Sequence, residues 1–487
     1  MPLPSLPDRR AIEAPGAPCV ADDDVVLDNT EFLAAVRGAA ATLRRHGVGT
    51  GDVVAVMLPN TVDLVVALFA AWRIGAALTP LNPALSADEA DYQITDAAAK
   101  VLIVSEARVS SAPVTVLATS DLTADAPSDI EPPSDPDLLA LLIYTSGTTG
   151  KPKGVMLDHG NLNAMCQMVI DAFTLTASDH SLLILPLFHV NGIVVSTLAP
   201  LLAGARTTVA GRFNPSTFFS RVEHTRATYF SAVPTIYTML ADLPEEQNPD
   251  TSSLRFAVCG AAPASIELLD KFETRYGVPI VEGYGLSEGS CASTGNPLGG
   301  VRKPGTVGLP LPGQTIRIAG EDGNPVAAGE LGEVLISGPN VMRGYLNRPA
   351  ETARTLVDGW LHTGDIGRLD EDGYLVLVDR AKDMVIRGGE NIYPKEIEAI
   401  AYQLPGIAES AVVGRPDPIY GEQPVMFVAL SPEARLDSAD IGAHLASKLA
   451  KYKRPVDITI LDTLPKNPVG KIDKPALRTV AAAARTA

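Results

Sequence analysis

Helix-length amphipathic stretches and short apolar runs take turns along the first half of the chain. Residues 31–46 carry a helical apolar stripe that stops at Gly47, and GDVVAVMLPN (51–60) reads as turn, strand, turn. Residues 62–75 predict a second helix and 99–105 another strand. After a Pro/Asp/Ser-rich connection at 123–137 the alternation resumes, with strands expected at 138–143, 181–185, 207–210, 227–231 and 255–259. Strands and helices in this order imply α/β layering with parallel sheets.

From about residue 305 the texture changes. Short β-like runs at 314–318, 332–337 and 374–378 are punctuated by Gly, Pro and Asp, which suggests a small barrel or sandwich element. A final α+β unit follows DRAKD (379–383), with helices expected at 397–404 and 441–449 and strands at 408–414 and 425–430. Beyond these the chain ends in an Ala-rich tail. No internal repeat is evident.

A chain of 487 residues exceeds one core, so at least two domains are expected. The net charge of −18 disfavours nucleic acid or an anionic membrane as the main partner. Cys19, Cys166, Cys259 and Cys291 are scattered, without a CxxC pair, so neither zinc nor a disulfide framework is suggested, and a reducing cytoplasm fits. The N-terminus has no signal-like apolar region. Two greasy stretches fail as membrane spans: 62–78 carries Arg73, and 190–205 is broken by Pro200.

The most informative segment is YTSGTTGKPKGV (144–155). It puts three Gly, three Thr, one Ser and two Lys directly after an apolar run. A loop of hydroxyls, amides and ammonium groups after a buried strand can wrap polyphosphate. It is not the usual P-loop, because only two residues separate Gly147 from Gly150 and Pro152 follows Lys151. Four other segments add chemistry. EGYGLSEGS (282–290) offers Tyr284 as a flat face for a base and Glu288 as a ligand for Mg²⁺. HTGD (362–365) places Asp365 beside a Gly turn, where a carboxylate accepts both hydroxyls of a ribose. PKNPVGKIDK (465–474) puts Lys471 on a Gly-kinked loop, and RGGENIYP (387–394) pairs Gly388 with Gly389. Taken singly, each is as well explained by an ordinary turn or an exposed lysine.

In combination and order, with LPLFHVNG (185–192), these segments resemble the adenylate-forming superfamily of acyl-CoA synthetases, standalone adenylation domains and beetle luciferases. The resemblance implies an α/β N-terminal domain (1–378) of two sheet subdomains plus the small β-barrel element. It further implies a hinge at 379–382 and a small, mobile α+β C-terminal domain (383–487). It implies ATP, Mg²⁺ and CoA as the cofactor and co-substrates, and a carboxylic acid made into acyl-AMP before a thiol takes the acyl group. Attack of a carboxylate on a polyanion needs cations and donors where charge collects. By resemblance, Thr145, Ser146, Gly147, Thr148, Thr149, Gly150 and Lys153 hold the β- and γ-phosphates, while Ser287 binds the α-phosphate. Tyr284 stacks on adenine, with Glu282 and Gly285 also binding the nucleotide, and Asp365, Arg380 and Lys382 serve the ribose and hinge. Lys471 bridges the acid and the α-phosphate. Gly388, Gly389 and Glu390 line the CoA tunnel after the C-terminal domain rotates.

His189 resembles the gate of an acyl channel. Asn191, Gly192, Val233, Gly260, Ala261, Ala262 and Gly283 are the expected pocket residues. Residues 188–192 contain no Asp, which argues against an amino acid substrate. The expected walls, at 190–193, 231–235, 259–262 and 290–292, contain no Arg or Lys, which favours an apolar monocarboxylate such as a fatty acid. Arg212, Arg255 and Arg302 leave a small dicarboxylate, oxalate or malonate, open. An acyl-AMP ligase serving a carrier protein or another nucleophile is the enzymatic alternative, and an inactive scaffold the non-enzymatic one. A homodimer follows only from family habit.

Overall fold

The computed structural model describes residues 2–105, 110–123, 130–145, 152–262, 264–320, 322–380, 383–387, 390–466 and 471–483. The chain divides into two compact units. One comprises Met1–Ile316 with Leu335–His362, and the other Arg317–Val334 with Thr363–Ala487. The α/β class and the small α+β C-terminal portion expected from the sequence are both present.

The larger unit holds two sheets. The seven-stranded sheet centres on Val53–Met57, which pairs in parallel with Ala77–Pro80 and Val101–Val104. All five residues of Val53–Met57 are buried, as expected of a parallel strand covered on both faces. Leu139–Thr145 joins this sheet and turns back into Lys153–Asp158 as an antiparallel pair, with Thr145 opposite Lys153. The phosphate-loop sequence is thus flanked by two strands that pair antiparallel with each other. Its residues 146–151 lie outside the described residues. The indole of Trp72, on helix Val62–Arg73, donates to Ala140 O at 2.9 Å and pins that helix to the strand. Arg73 is fully buried at the end of the same helix, and both its terminal nitrogens bond Asp8, at 2.6 and 3.0 Å.

In the nine-stranded sheet, His180–Leu183, Tyr229–Ala232, Phe256–Cys259 and Ile280–Tyr284 run parallel as neighbours. Ala232 pairs with Cys259, and Cys259 with Glu282. Segments beginning at Ile184, Val233, Gly260 and Gly285 thus leave these strands along one carboxyl edge, where open α/β sheets bind ligands. Helix Val190–Ile193 continues through a π turn, Val194–Leu198, into Ala199–Leu202, so Pro200 sits inside a buried helical run.

Strands Thr315–Ala319, Gly332–Ser337, Trp360–Leu369 and Leu356–Val357 form the small β element, with Leu375–Arg380 pairing Trp360–Leu369. In the smaller unit, Ile407–Asp417 and Gly421–Leu430 make a long hairpin. Its alternation serves two cores. Val412, Met426 and Val428 pack with helices Pro394–Tyr402 and Ser438–Lys448, while Ala411, Val413 and Phe427 pack with Leu477 and Ala481. The Ala-rich tail contributes that last layer as helix Lys474–Ala483. Among the described residues no helix is long and apolar enough to cross a membrane.

Candidate active site

The expected pocket and base-facing residues of the larger unit follow the carboxyl edge of the nine-stranded sheet, whereas Thr145 and Lys153 lie on the seven-stranded sheet. His189 is half-buried, its ring 4.5 Å from that of Phe188, and its carbonyl accepts the amide of Ile193. Asn191 follows with a buried, unpartnered Oδ1. Gly192 has a packing reason: an added Cβ would lie 2.8 Å from Pro186 O. Val233 precedes helix Pro234–Ala241, and Gly260 lies against Gly283 O. Ala261 takes a left-handed φ of 66°, and Ala261 and Ala262 are exposed.

Strand Ile280–Tyr284 delivers Glu282, Gly283 and Tyr284, and Gly285 follows. Backbone crowding alone fixes both glycines. A Cβ on Gly285 would fall 1.8 Å from Cys291 O, and one on Gly283 3.0 Å from Thr294 O. Burial, and secondarily the charge of Glu273, pushes the Glu282 carboxyl up to about 7.

Ser287 and Glu288 sit on a 3-10 turn, Ser287–Gly289. The turn is clamped from the segment 340–345. Asn340 Nδ2 donates to Gly289 O at 2.8 Å, Met342 N donates to Glu288 O at 2.8 Å, and Ser290 Oγ donates to Asn340 O at 2.5 Å. Tyr345 Oη then donates to Glu288 Oε1 at 2.9 Å. Burial, then the adjacent Glu288 charge, drives the Tyr345 phenol pKa upward, so it stays a donor. Lys153 lies 5.0 Å from the centroid of the same ring and pairs with Glu351, on helix Pro349–Thr355. Tyr345, Glu351 and Asn340 were not singled out from the sequence. The Pro after Tyr345-Leu-Asn-Arg, placed to start a helix, was the available signal.

The smaller unit carries the other expected residues. Asp365 does not sit in a turn. It lies within strand Trp360–Leu369, opposite Arg380, and is 5% exposed. Its amide donates to Thr363 Oγ1, and Gly364 beside it has φ 68°. Glu390 is exposed on the hairpin formed by Val385–Arg387 and Glu390–Ile392. Lys471 is exposed and precedes Ile472, which bridges to Lys466. Lys382, Gly388 and Gly389 lie outside the described residues.

Two of the arginines left open for a second carboxylate are engaged elsewhere. Arg255 pairs with Asp179 at 2.5 Å, and Arg302 pairs with Glu273 at 2.5 Å and donates to Ile280 O. Arg212 is exposed. All four cysteines are free and buried, and burial raises the pKa of each thiol.

The sequence matches the AMP-binding enzyme family over residues 7–346 and the AMP-binding enzyme C-terminal domain over 396–471. The chain belongs to the AMP-binding enzyme family. A feruloyl-CoA synthase from Amycolatopsis sp is 40% identical across 98% of both chains. An oxalate–CoA ligase from Arabidopsis thaliana is 36% identical, covering 96% of this chain and 95% of its own. Among solved structures, ATP-bound MatB from Rhodopseudomonas palustris superposes with a TM-score of 0.93 at 32% identity over 99% of each chain. As a member of this AMP-binding family the chain is an enzyme, an AMP-forming ligase of the adenylate-forming superfamily.

The side chains present fit ATP with its metal. Mg²⁺ characteristically takes one or two carboxylates and completes its shell with phosphate and water. Glu288 is a carboxylate that would serve, oriented by Tyr345 and by the clamped turn. Lys153 supplies a cation beside the hairpin end that begins the phosphate loop.

Proposed function

We propose that the enzyme activates a monocarboxylic acid with an apolar body as its acyl-adenylate and passes the acyl group to the thiol of CoA, releasing AMP and pyrophosphate. The observation that carries the substrate class is the engagement of Arg255 by Asp179 and of Arg302 by Glu273, beside expected wall segments without Lys or Arg. A second substrate carboxylate would be buried there without a partner, at a cost of several kcal/mol. Fatty acids belong to this class, and so do aromatic acids of the kind named for the feruloyl relative.

In the first step a carboxylate oxygen attacks the α-phosphorus, and the bond to the pyrophosphate oxygen breaks. Lys153 and Thr145, with Ser146, Thr148 and Thr149, take up charge on the departing pyrophosphate. Ser287 donates to the α-phosphate, and Lys471 bridges it to the acid. Tyr284 holds the base, and Asp365 with Arg380 holds the ribose. Glu288 would hold Mg²⁺, which when bound would neutralise phosphate charge. His189 stands at the mouth of the acid channel. In the second step the thiol sulfur attacks the acyl carbon, the bond to the AMP oxygen breaks and the thiol proton passes to solvent. The portion from 383 onward turns about the hinge at 379–382, bringing Gly388, Gly389 and Glu390 to the CoA path.

The test is product analysis with ATP, Mg²⁺ and a panel of ferulate, benzoate, fatty acids from acetate to palmitate, oxalate and malonate, with and without CoA. Acyl-CoA and AMP formed from apolar acids support the proposal. Preference for oxalate or malonate overturns the substrate class, and acyl-AMP without acyl-CoA transfers the acceptor to a carrier protein or an amine.

A further inference from the structure

We propose that Lys474 is a positioning residue for Lys471: with Arg478 on the same helix, it ties the end of the Lys471 loop to Glu398 and to Asp383, on the far flank of the 379–382 hinge, so that loop and flank move together. The proposal rests on the reading that Lys471 serves adenylation.

The sequence VGKIDK offers two lysines three residues apart, and the structure separates them. Lys471 is exposed, whereas the Lys474 side chain is 16% exposed and its Nζ lies 2.8 Å from Glu398 Oε1. Glu398 Oε1 also accepts the amide of Val412 at 2.7 Å, which fixes it to the hairpin strand Ile407–Asp417. Asp379, on the near flank of the hinge, is 1% exposed, and its Oδ2 accepts the amide of Lys395 at 2.9 Å. Asp383, on the far flank, pairs at 2.5 Å with Arg478, one turn along the helix that Lys474 begins. Positions 474 and 478 share one helix face, so one helix holds Glu398 through Lys474 and the far flank of the hinge through Arg478.

The loop is closed at its base. Asp473 N donates to Pro465 O at 2.8 Å, Lys466 bridges to Ile472, and Asp473 Oδ1 accepts the amide of Ala476 at the start of the helix. Burial alone would drive the Lys474 ammonium towards neutrality. Glu398, Asp379 and Asp383 outweigh it, and the net pKa is raised. Three carboxylates facing two cations make a cluster that loses its balance when Lys474 is neutralised, leaving Glu398 buried without a counter-ion. Leu477 and Ala481 seat the same helix in the core, so the helix itself does not depend on the ion pair.

The experiment measures two half-reactions in full-length Lys474→Met, Lys474→Arg, Arg478→Gln and Lys471→Ala proteins: acid-dependent ATP–pyrophosphate exchange, and thioester formation from supplied acyl-AMP. Lys474→Met is expected to lower kcat for exchange about ten-fold or more. Its KM for ATP and its thioester formation should stay within about three-fold of the parent. Lys474→Arg restores most of the exchange. Arg478→Gln, at a more exposed position, shows the same partition more weakly and serves if Lys474→Met does not fold. Equal loss of both half-reactions in these variants, or no loss of exchange, overturns the proposal alone. Exchange that survives Lys471→Ala overturns the underlying reading with it.

Discussion

Tyr345 Oη donates to Glu288 Oε1 at 2.9 Å, and the short segment that carries this tyrosine touches both charges proposed for polyphosphate. The same tyrosine ring faces Lys153, and Glu351, six residues on, pairs with that lysine. The proposed metal ligand and the proposed phosphate cation thus share a support that makes no assigned contact with substrate.

Tyr345→Phe keeps the ring and removes the donor. A hydrogen bond to a charged group is worth about 1.5–3 kcal/mol, so kcat/KM for ATP in adenylation should fall roughly 10- to 100-fold. The Mg²⁺ concentration for half-activation should rise, while KM for the acid stays put. Titrating Mg²⁺ in the exchange assay reads this directly. An unchanged Mg²⁺ requirement would remove Tyr345 from the metal's support.

Glu282 gives a pH signature. Its folded pKa, about 7, lies above the ordinary 4.5, so the folded state holds a proton that the unfolded state has lost between those values. Its contribution is intact below pH 4.5 and disappears as pH rises through 7. Glu282→Gln should therefore gain stability relative to the parent between pH 5 and pH 8, by at most about 3 kcal/mol. Denaturation midpoints at the two pH values check the sign.

His159 works in the opposite direction. It is buried edge-on to Trp72, 5.0 Å between ring centroids, and neither ring nitrogen bonds a protein group. Burial lowers its pKa from 6.5 to about 4, against a smaller opposing effect of Asp135. Stability is intact above pH 6.5 and is lost as pH falls through 4. His159→Phe retains the ring contact and should be about 2 kcal/mol better, relative to the parent, at pH 5 than at pH 8.

Gly285 is forced by the backbone. With Cys291 O at 1.8 Å from any Cβ, Gly285→Ala has to displace the loop that follows Ser287–Gly289. A loss of about 3 kcal/mol is expected, together with adenylation, while ligand-independent folding remains measurable by calorimetry. A variant as stable and active as the parent would mean that this approach is not real.

Much of this was legible because local patterns and the fold agree. Buried parallel strands such as Val53–Met57 and Phe256–Cys259 announce themselves as apolar runs, and the second leads directly into the expected pocket residues Gly260, Ala261 and Ala262. What the sequence did not disclose depends on distant partners. Arg73 reads as a charge interrupting an apolar helix until Asp8, 65 positions away, is seen to neutralise it. Asp365 reads as a turn residue because Gly364 precedes it, yet strand pairing overrides the local signal. Arg255 and Arg302 read as available cations until Asp179 and Glu273 claim them. The tail 474–483 looked merely Ala-rich, although Leu477 and Ala481 meet a hairpin face that no local pattern reveals.

The most direct test of the account is acid-dependent ATP–pyrophosphate exchange without CoA, using purified enzyme, Mg²⁺ and ferulate or a fatty acid. The account predicts exchange that requires the acid, proceeds with no thiol present and is lost in Lys471→Ala. ATP cleavage to ADP, or exchange indifferent to the acid, would contradict it.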